Sequence, residues 1–265
     1  RIMTGGYYFD PENTIIRWFK PSPSIEHIEE VFEERNAVSD FFKCYSSMPE
    51  EWIRKVCELG HAKGKKVYAH LGMCGTMDAV RAGLDGMEHG IFTVSEFYPA
   101  PNAHVDDEAI KKLDLNSDIV KRVQDTLVSH QSAVTPTCLT FMLSGHWFTD
   151  WMDSVDAWRY LDEVGLERQR TLRNDWDSKQ EQVDLQDLLM EKQRKYVNGL
   201  YRQGARIFAG TDPSYPMMIP GQALWLEAVN LSDCGMANKD ILRALTIEAA
   251  KELGIGDARR MSLFA

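Results

Sequence analysis

A chain of 265 residues is long enough for one large domain with a hydrophobic core of its own. Acidic residues number 40 and basic residues 30, so the net charge is −10, and nucleic acid and anionic membranes are poor candidate partners. We find no apolar run near the roughly 18 residues that a membrane-spanning helix needs. These properties are typical of a globular protein.

The cysteines do not form a pattern typical of disulfides or of a zinc knuckle, because they are odd in number, scattered and without a C-x-x-C pair. Buried free thiols are the more common state of such residues. They weakly favour a reducing, cytoplasmic compartment. The five are Cys44, Cys57, Cys74, Cys138 and Cys234.

The first half of the chain alternates between predicted strands and helices. Ser24 is a suitable N-cap for a helix that runs to about Arg35, and Pro49 is well placed to open a helix. In chain order we predict a possible strand at residues 14–19, the helix after Ser24, a strand ending at Lys43, a helix from Pro49 to Ala62, a strand at Lys66–His70, a short helix at Thr76–Ala82 and a strand ending at His89.

The second half continues the alternation with one long interruption. We predict a helical region from Val105 to His130, a strand at Ser132–Thr137, an extended helical excursion at about residues 139–203 that returns through a helix at Asp187–Tyr201, a strand at Ala205–Ala209, and helices at Gln222–Cys234, Asn238–Leu245 and Ile247–Leu253. Strands that alternate with helices favour a parallel sheet covered by helices.

Four side chains that can carry metal chemistry lie at the ends of predicted strands: Lys43, His70, His89 and Asp212. Such residues on successive strands converge at the mouth of a β/α barrel. Neutral imidazole is a common nitrogen ligand of zinc. A carboxylate can bind a cation and accept a proton from metal-bound water. The set therefore predicts a metal-dependent hydrolase.

Several of these residues also have simpler interpretations. A single histidine at a strand end is more often a hydrogen-bonded structural residue, and the lysine ammonium repels cations unless it is neutral or converted to a carbamate. Tyr45 lies two residues beyond Lys43 and thus on the same face, where its hydroxyl could polarise a substrate carbonyl or simply pack at the rim. We expect Glu88 to point away from His89, towards the helical layer.

The strand-end segments resemble strands four, five, six and eight of the amidohydrolase superfamily, most nearly its imidazolonepropionase-like and prolidase-like branch. Residues 242–246, with Ala249, Ala250, Leu253 and Gly254, resemble the helical region that follows strand eight there. The resemblance covers roughly residues 35 to 256. Its segments are Asp40–Lys43, Val67–His70, Gly86–Gly90 and Ala209–Asp212.

The resemblance implies a (β/α)8 TIM-like barrel with two divalent metals, usually zinc. Carboxylated Lys43 would bridge the metals, and His70 and His89 would hold the second one. Asp212 would bind the first metal and carry a proton to the leaving nitrogen after a metal-activated hydroxide attacks an amide carbonyl. Tyr45 matches a tyrosine that often follows the bridging lysine and assists the carbonyl.

Two departures from the family pattern matter. The chain contains no His-x-His, which the family places on strand one, and it lacks the segments of the family's β-sandwich. We therefore expect residues 1–265 to form an incomplete catalytic barrel, with strands about three to eight, as an internal part of a longer protein. By itself such a piece would bind the first metal incompletely.

The leading hypothesis is hydrolysis of the C–N bond of a small amide, cyclic amide or dipeptide-like substrate. One alternative is a metal-poor pseudoenzyme or binding module, and another is a metal-dependent hydrolase of esters or phosphoesters. Neither the metal ligands nor the composition selects the substrate.

Overall fold

The computed structural model describes residues 3–11, 21–98, 107–142, 161–177, 180–212, 218–219 and 221–254. Within these residues five short strands form one parallel sheet in the order β1-β2-β3-β4-β5. The strands are β1 (Phe42–Cys44), β2 (Val67–Ala69), β3 (Gly86–Glu88), β4 (Ala133–Thr135) and β5 (Arg206–Ile207). Each predicted strand in this part of the chain is thus confirmed, although shorter than expected.

Helices follow each of the five strands. They are α1 (Ile25–Val38), α2 (Glu50–Ala62), α3 (Thr76–Arg81), α4 (Asp107–Lys112), α5 (Asp118–Ser129), α6 (Cys138–Met142), α7 (Glu163–Asp177), α8 (Gln180–Arg202), α9 (Gln222–Asp233), α10 (Asn238–Leu245) and α11 (Ile247–Glu252). This arrangement is that of part of a TIM-like barrel. None of the described helices is both long and apolar enough to cross a bilayer.

Local sequence signals account for several helix boundaries. The Ser24 hydroxyl accepts a hydrogen bond from the backbone N–H of His27 at 3.2 Å, as expected of an N-cap. Pro49 precedes α2, as predicted. The described part of the expected excursion is mostly helical, in α6, α7 and α8, while residues 143–160 and 178–179 lie outside the described part.

The sheet has a sixth position that the sequence did not reveal. Phe9 lies beside β1, where its N–H donates to the Lys43 carbonyl at 2.7 Å and its own carbonyl accepts from Tyr45 N–H at 2.9 Å. The bridge is parallel, like the rest of the sheet. The possible strand at residues 14–19 lies outside the described residues.

One face of the sheet packs against the helices and forms the core. The ring of Phe42 lies 4.8 Å from that of Phe32 in α1. A methyl group added at Gly60 in α2 would come within 3.0 Å of both Phe42 and Val67, so this glycine allows α2 to approach the strands closely. Alternate strand residues, including Lys43, therefore face the opposite side.

The N-terminal ends of the strands are closed by an ionic cluster. Glu252 of α11, whose side chain is 7% exposed, forms an ion pair with Arg206 at the start of β5 and lies 3.6 Å from the Lys66 ammonium. Lys66 also pairs with Asp85 at 2.7 Å. Charges of both signs balance here, so this end of the sheet is a structural closure.

Replacing Glu252 with alanine should lower the free energy of unfolding by about 2–3 kcal/mol, because Arg206 and Lys66 would lose their shared buried partner. Urea denaturation would measure the loss. Glu248→Ala on the same helix is the matched control, since its pairs with Arg243 and Lys251 are more exposed and should contribute less than about 1 kcal/mol. Equal losses in the two variants would contradict this interpretation.

Candidate metal centre

The strands carry the predicted site residues to one edge of the sheet. Lys43 lies in β1, His70 directly follows β2, and His89 directly follows β3. Asp212 lies five residues beyond β5. Because the five strands are parallel, these positions lie towards the same carboxyl-terminal edge.

His70 and His89 are in direct contact. Nε2 of His89 lies 2.8 Å from Nδ1 of His70, and the ring centroids are 4.5 Å apart at an interplanar angle of 73°. A hydrogen bond between two imidazole nitrogens requires that one donate and the other accept. The pair therefore shares one proton along this contact.

Both imidazoles are neutral at pH 7. Burial lowers the pKa of His70 to about 4, and the neighbouring Lys43 ammonium acts in the same direction. His89 is 3% exposed, and burial, His70 and Lys43 together hold its pKa well below the usual range. Neutral imidazole is the form that binds a metal.

Lys43 is largely buried beside this pair. Burial lowers the pKa of its ammonium to about 7, while the negative charge of Asp212 acts in the opposite direction. Its ammonium forms an ion pair with the carboxylate of Glu88. A lysine in this position can become neutral near physiological pH far more easily than one in water.

The expected orientation of Glu88 is wrong. In the register of the sheet, Lys43 of β1 pairs with Tyr68 of β2, and Tyr68 pairs with Gly86 of β3. Glu88 lies two residues after Gly86, and it therefore faces the same side as Lys43. His89 has a φ of 73° and so leaves the extended conformation. The alternation of side chains stops there, and Glu88 and His89 both lie on the site side.

Asp212 lies at the rim of the site. It is exposed and has a φ of 48°, a conformation that few residues other than glycine adopt. The hydroxyl of Thr140 donates to the carbonyl of the preceding residue, Thr211, at 3.0 Å. Asp212 is close enough to Lys43 to affect its pKa. Among the described residues, no three His, Cys, Asp or Glu side chains come close enough to form a metal site.

Tyr45 packs on the imidazole pair. Its ring centroid is 4.7 Å from that of His70 and 4.9 Å from that of Tyr8 on the neighbouring segment. The predicted packing at the rim is therefore observed.

Thr137 also contacts the site, although it is not among the predicted site residues. Its Oγ1 lies 2.6 Å from Nδ1 of His89, and the residue is 3% exposed. It ends the segment predicted as strand Ser132–Thr137, so its place at a strand end was a usable signal. Its partner is 48 residues away in the sequence, which no local pattern reveals.

No protein-family model matches the chain, and no curated protein sequence matches it. Solved structures do match. A bottromycin amidohydrolase shares 16% identity at a TM-score of 0.70, over 94% of this chain and 55% of its own. A Xaa-Pro dipeptidase with bound methionine shares 17% identity at a TM-score of 0.56, and the match covers 96% of this chain and 55% of the dipeptidase. An A. niger ochratoxinase shares 16% identity at a TM-score of 0.55, and the match covers 93% of this chain and 48% of the ochratoxinase.

These matches confirm the expected fold. The chain has the fold of part of each of these structures, and it spans about half the length of the structures it matches. At this level of identity the likeness concerns the fold.

Stability should depend on pH through Glu227 in α9, which lies behind the site. The residue is fully buried, and burial raises the pKa of its carboxyl to about 7, although backbone N–H groups of Leu139 and Cys138 act against this. A raised pKa means that folding favours the protonated form, so the contribution of Glu227 to stability is greatest below about pH 4.5 and falls as the pH rises through 7. The loss is at most about 3 kcal/mol.

Urea denaturation of the wild type and Glu227→Gln between pH 5 and 8 would measure this dependence. The variant should show the smaller decrease over that interval, whatever its stability at pH 5. The same pH dependence in both proteins would contradict the assignment to Glu227.

Proposed function

We propose that this chain contributes the catalytic barrel region of a metal-dependent hydrolase that cleaves C–N bonds in small amides, cyclic amides or dipeptide-like substrates. The observation that carries the proposal is the buried, neutral pair of His70 and His89 at the carboxyl edge of a parallel sheet, with Lys43 beside it. The structures with the same fold include an amidohydrolase and a dipeptidase, names that denote C–N hydrolysis.

The two imidazole nitrogens that face each other suit a divalent metal ion, and we propose zinc. Nδ1 of His70 and Nε2 of His89 face each other 2.8 Å apart. These two nitrogens would hold the metal once the proton between them has moved to another ring nitrogen, because neutral imidazole is a common nitrogen ligand of zinc. The other nitrogen of His89 already has a partner in Thr137, as is usual for metal-binding histidines.

Lys43 would be the bridging ligand between two zinc ions, after reaction with carbon dioxide. In that reaction the neutral amine attacks the carbon, a C–N bond forms and one proton is released, which leaves a carbamate. The lowered pKa of Lys43 favours the neutral amine. The ammonium would have to leave Glu88 first, since the ion pair holds it in the charged form.

Two side chains at the rim would act on the substrate. A bound divalent metal lowers the pKa of water from 15.7 to about 7 and so supplies hydroxide at neutral pH. The exposed carboxylate of Asp212 would accept the proton of the attacking water and pass it to the leaving nitrogen. The Tyr45 hydroxyl would donate a hydrogen bond to the carbonyl oxygen as it gains charge.

The proposed partner is a small amide or peptide-like molecule, and the net charge of −10 argues against nucleic acid. All five cysteines are buried and unpaired, which supports a reducing, cytoplasmic setting. A metal-poor binding module is the second candidate. The ion pair between Lys43 and Glu88 favours it, because the ammonium occupies the position that the bridging carbamate would take.

Zinc binding separates these two candidates. Dialysis of this chain against zinc and bicarbonate, followed by elemental mass spectrometry, should find zinc in the wild type and at least one ion fewer in His70→Asn/His89→Asn. His61→Asn is the matched control, because His61 lies at the opposite end of the sheet and pairs with Asp85. The same zinc content in all three proteins would favour the binding module.

A substrate panel tests the bond that is cleaved. The full-length natural protein should hydrolyse dipeptides or cyclic amides faster than esters or phosphoesters. Asp212→Asn should lower kcat by about 10²–10⁴-fold, and Tyr45→Phe by about 10²-fold. Tyr7→Phe, at a partly exposed tyrosine on the neighbouring segment, serves as the control. Faster turnover of esters, with amides left intact, would exclude C–N hydrolysis.

A further inference from the structure

We propose that Thr137 is a positioning residue that fixes the tautomer of His89, and that Gln193 and Glu227 hold it in place. This inference rests on the proposed function and assigns roles to residues outside the predicted ligand set. The three residues are called the Thr137 support below. All three are buried: Thr137 is 3% exposed, and Gln193 and Glu227 are fully buried.

The contact between Thr137 and His89 decides which imidazole nitrogen is available. When Nδ1–H of His89 donates to the Thr137 hydroxyl, 2.6 Å away, Nε2 carries no proton, and its lone pair accepts a hydrogen bond from His70 in the metal-free chain. With the opposite tautomer, Nε2 would carry a proton and could not bind a metal. A hydroxyl that accepts from Nδ1–H thus prepares His89 as a ligand in advance.

Gln193 of α8 fixes the distance between the two loops that carry this pair. Its Oε1 accepts from the backbone N–H of Ile91, two residues after His89, at 3.0 Å. Its Nε2 donates to the carbonyl of Pro136, the residue before Thr137, at 3.3 Å. A methyl group at Gly90 would lie 2.4 Å from the Gln193 amide, so the glycine is what allows this approach.

Glu227 of α9 holds the other side of Thr137. Its two carboxylate oxygens accept from the backbone N–H groups of Cys138 and Leu139, at 2.9 and 2.8 Å. These are the residues that directly follow Thr137 and begin α6. Thr137 itself has a φ of 43°, an unfavourable conformation that the bonds on both sides maintain.

A purely structural role predicts something different for the same residues. If Thr137 only satisfied a buried polar group, its loss would lower stability and leave the tautomer of His89 and the zinc affinity unchanged. Ser132 is a matched residue for that case. It is 2% exposed, and its hydroxyl donates to the Leu84 carbonyl at 3.0 Å, at the far end of the strands.

The first test needs no variant of the support. Long-range ¹⁵N–¹H NMR of the metal-free wild-type chain, labelled in histidine, would give the tautomer of His89, with His89→Asn used to assign its signals. We expect the proton on Nδ1. A proton on Nε2 would overturn the proposal, because Thr137 would then be the donor in this contact.

The second test is zinc affinity by competition with a chelator. Thr137→Val should weaken zinc binding by about 10–100-fold. Thr137→Ser, which keeps the hydroxyl, should stay within about threefold of the wild type, as should Ser132→Ala despite its loss of stability. Wild-type affinity in Thr137→Val would overturn the inference, provided that His89→Asn has lost its zinc. If His89→Asn also binds zinc normally, the proposed function itself fails.

Discussion

The hydrogen bond between two buried, neutral imidazoles is the contact on which the rest of the site depends. It exists because β2 and β3 are adjacent and parallel, so that the residues that follow them meet at one edge. Burial removes the positive charge from both rings, and the charge of Lys43 discourages its return. Because neither ring is charged, a metal does not have to displace a proton from an imidazolium, and only the proton between the two facing nitrogens has to move to another ring nitrogen.

Much of the fold could be predicted because its signals are local. Ser24 caps α1, Pro49 precedes α2, and short apolar segments mark the strands. The strand ends also located His70 and His89 correctly, since the position of a strand end in a parallel sheet is set by the sheet alone. These features need no knowledge of distant parts of the chain.

Other features of the site could not be predicted, for physical reasons. Glu88 lies on the site side because of the strand register, and His89 joins it there because its backbone is left-handed; the alternation of residues encodes neither feature. Thr137 meets His89 across 48 residues, and Gln193 meets Ile91 across 102. Phe9 pairs with β1 at a single isolated position, so no run of alternating residues marks the pairing in the sequence.

The two ends of the sheet use charge in opposite ways. The N-terminal end carries a cluster in which every charged side chain forms an ion pair with one of opposite sign: Lys66, Asp85, Arg206 and Glu252. At the carboxyl end Lys43 has a carboxylate partner, yet its pKa is lowered and its neighbours are neutral rings. A satisfied cluster resists change, whereas an ammonium that is easily neutralised can exchange one partner for another. Conversion of Lys43 to a carbamate would place its negative charge beside the carboxylate of Glu88. Glu88 would therefore have to turn away when the site binds metal.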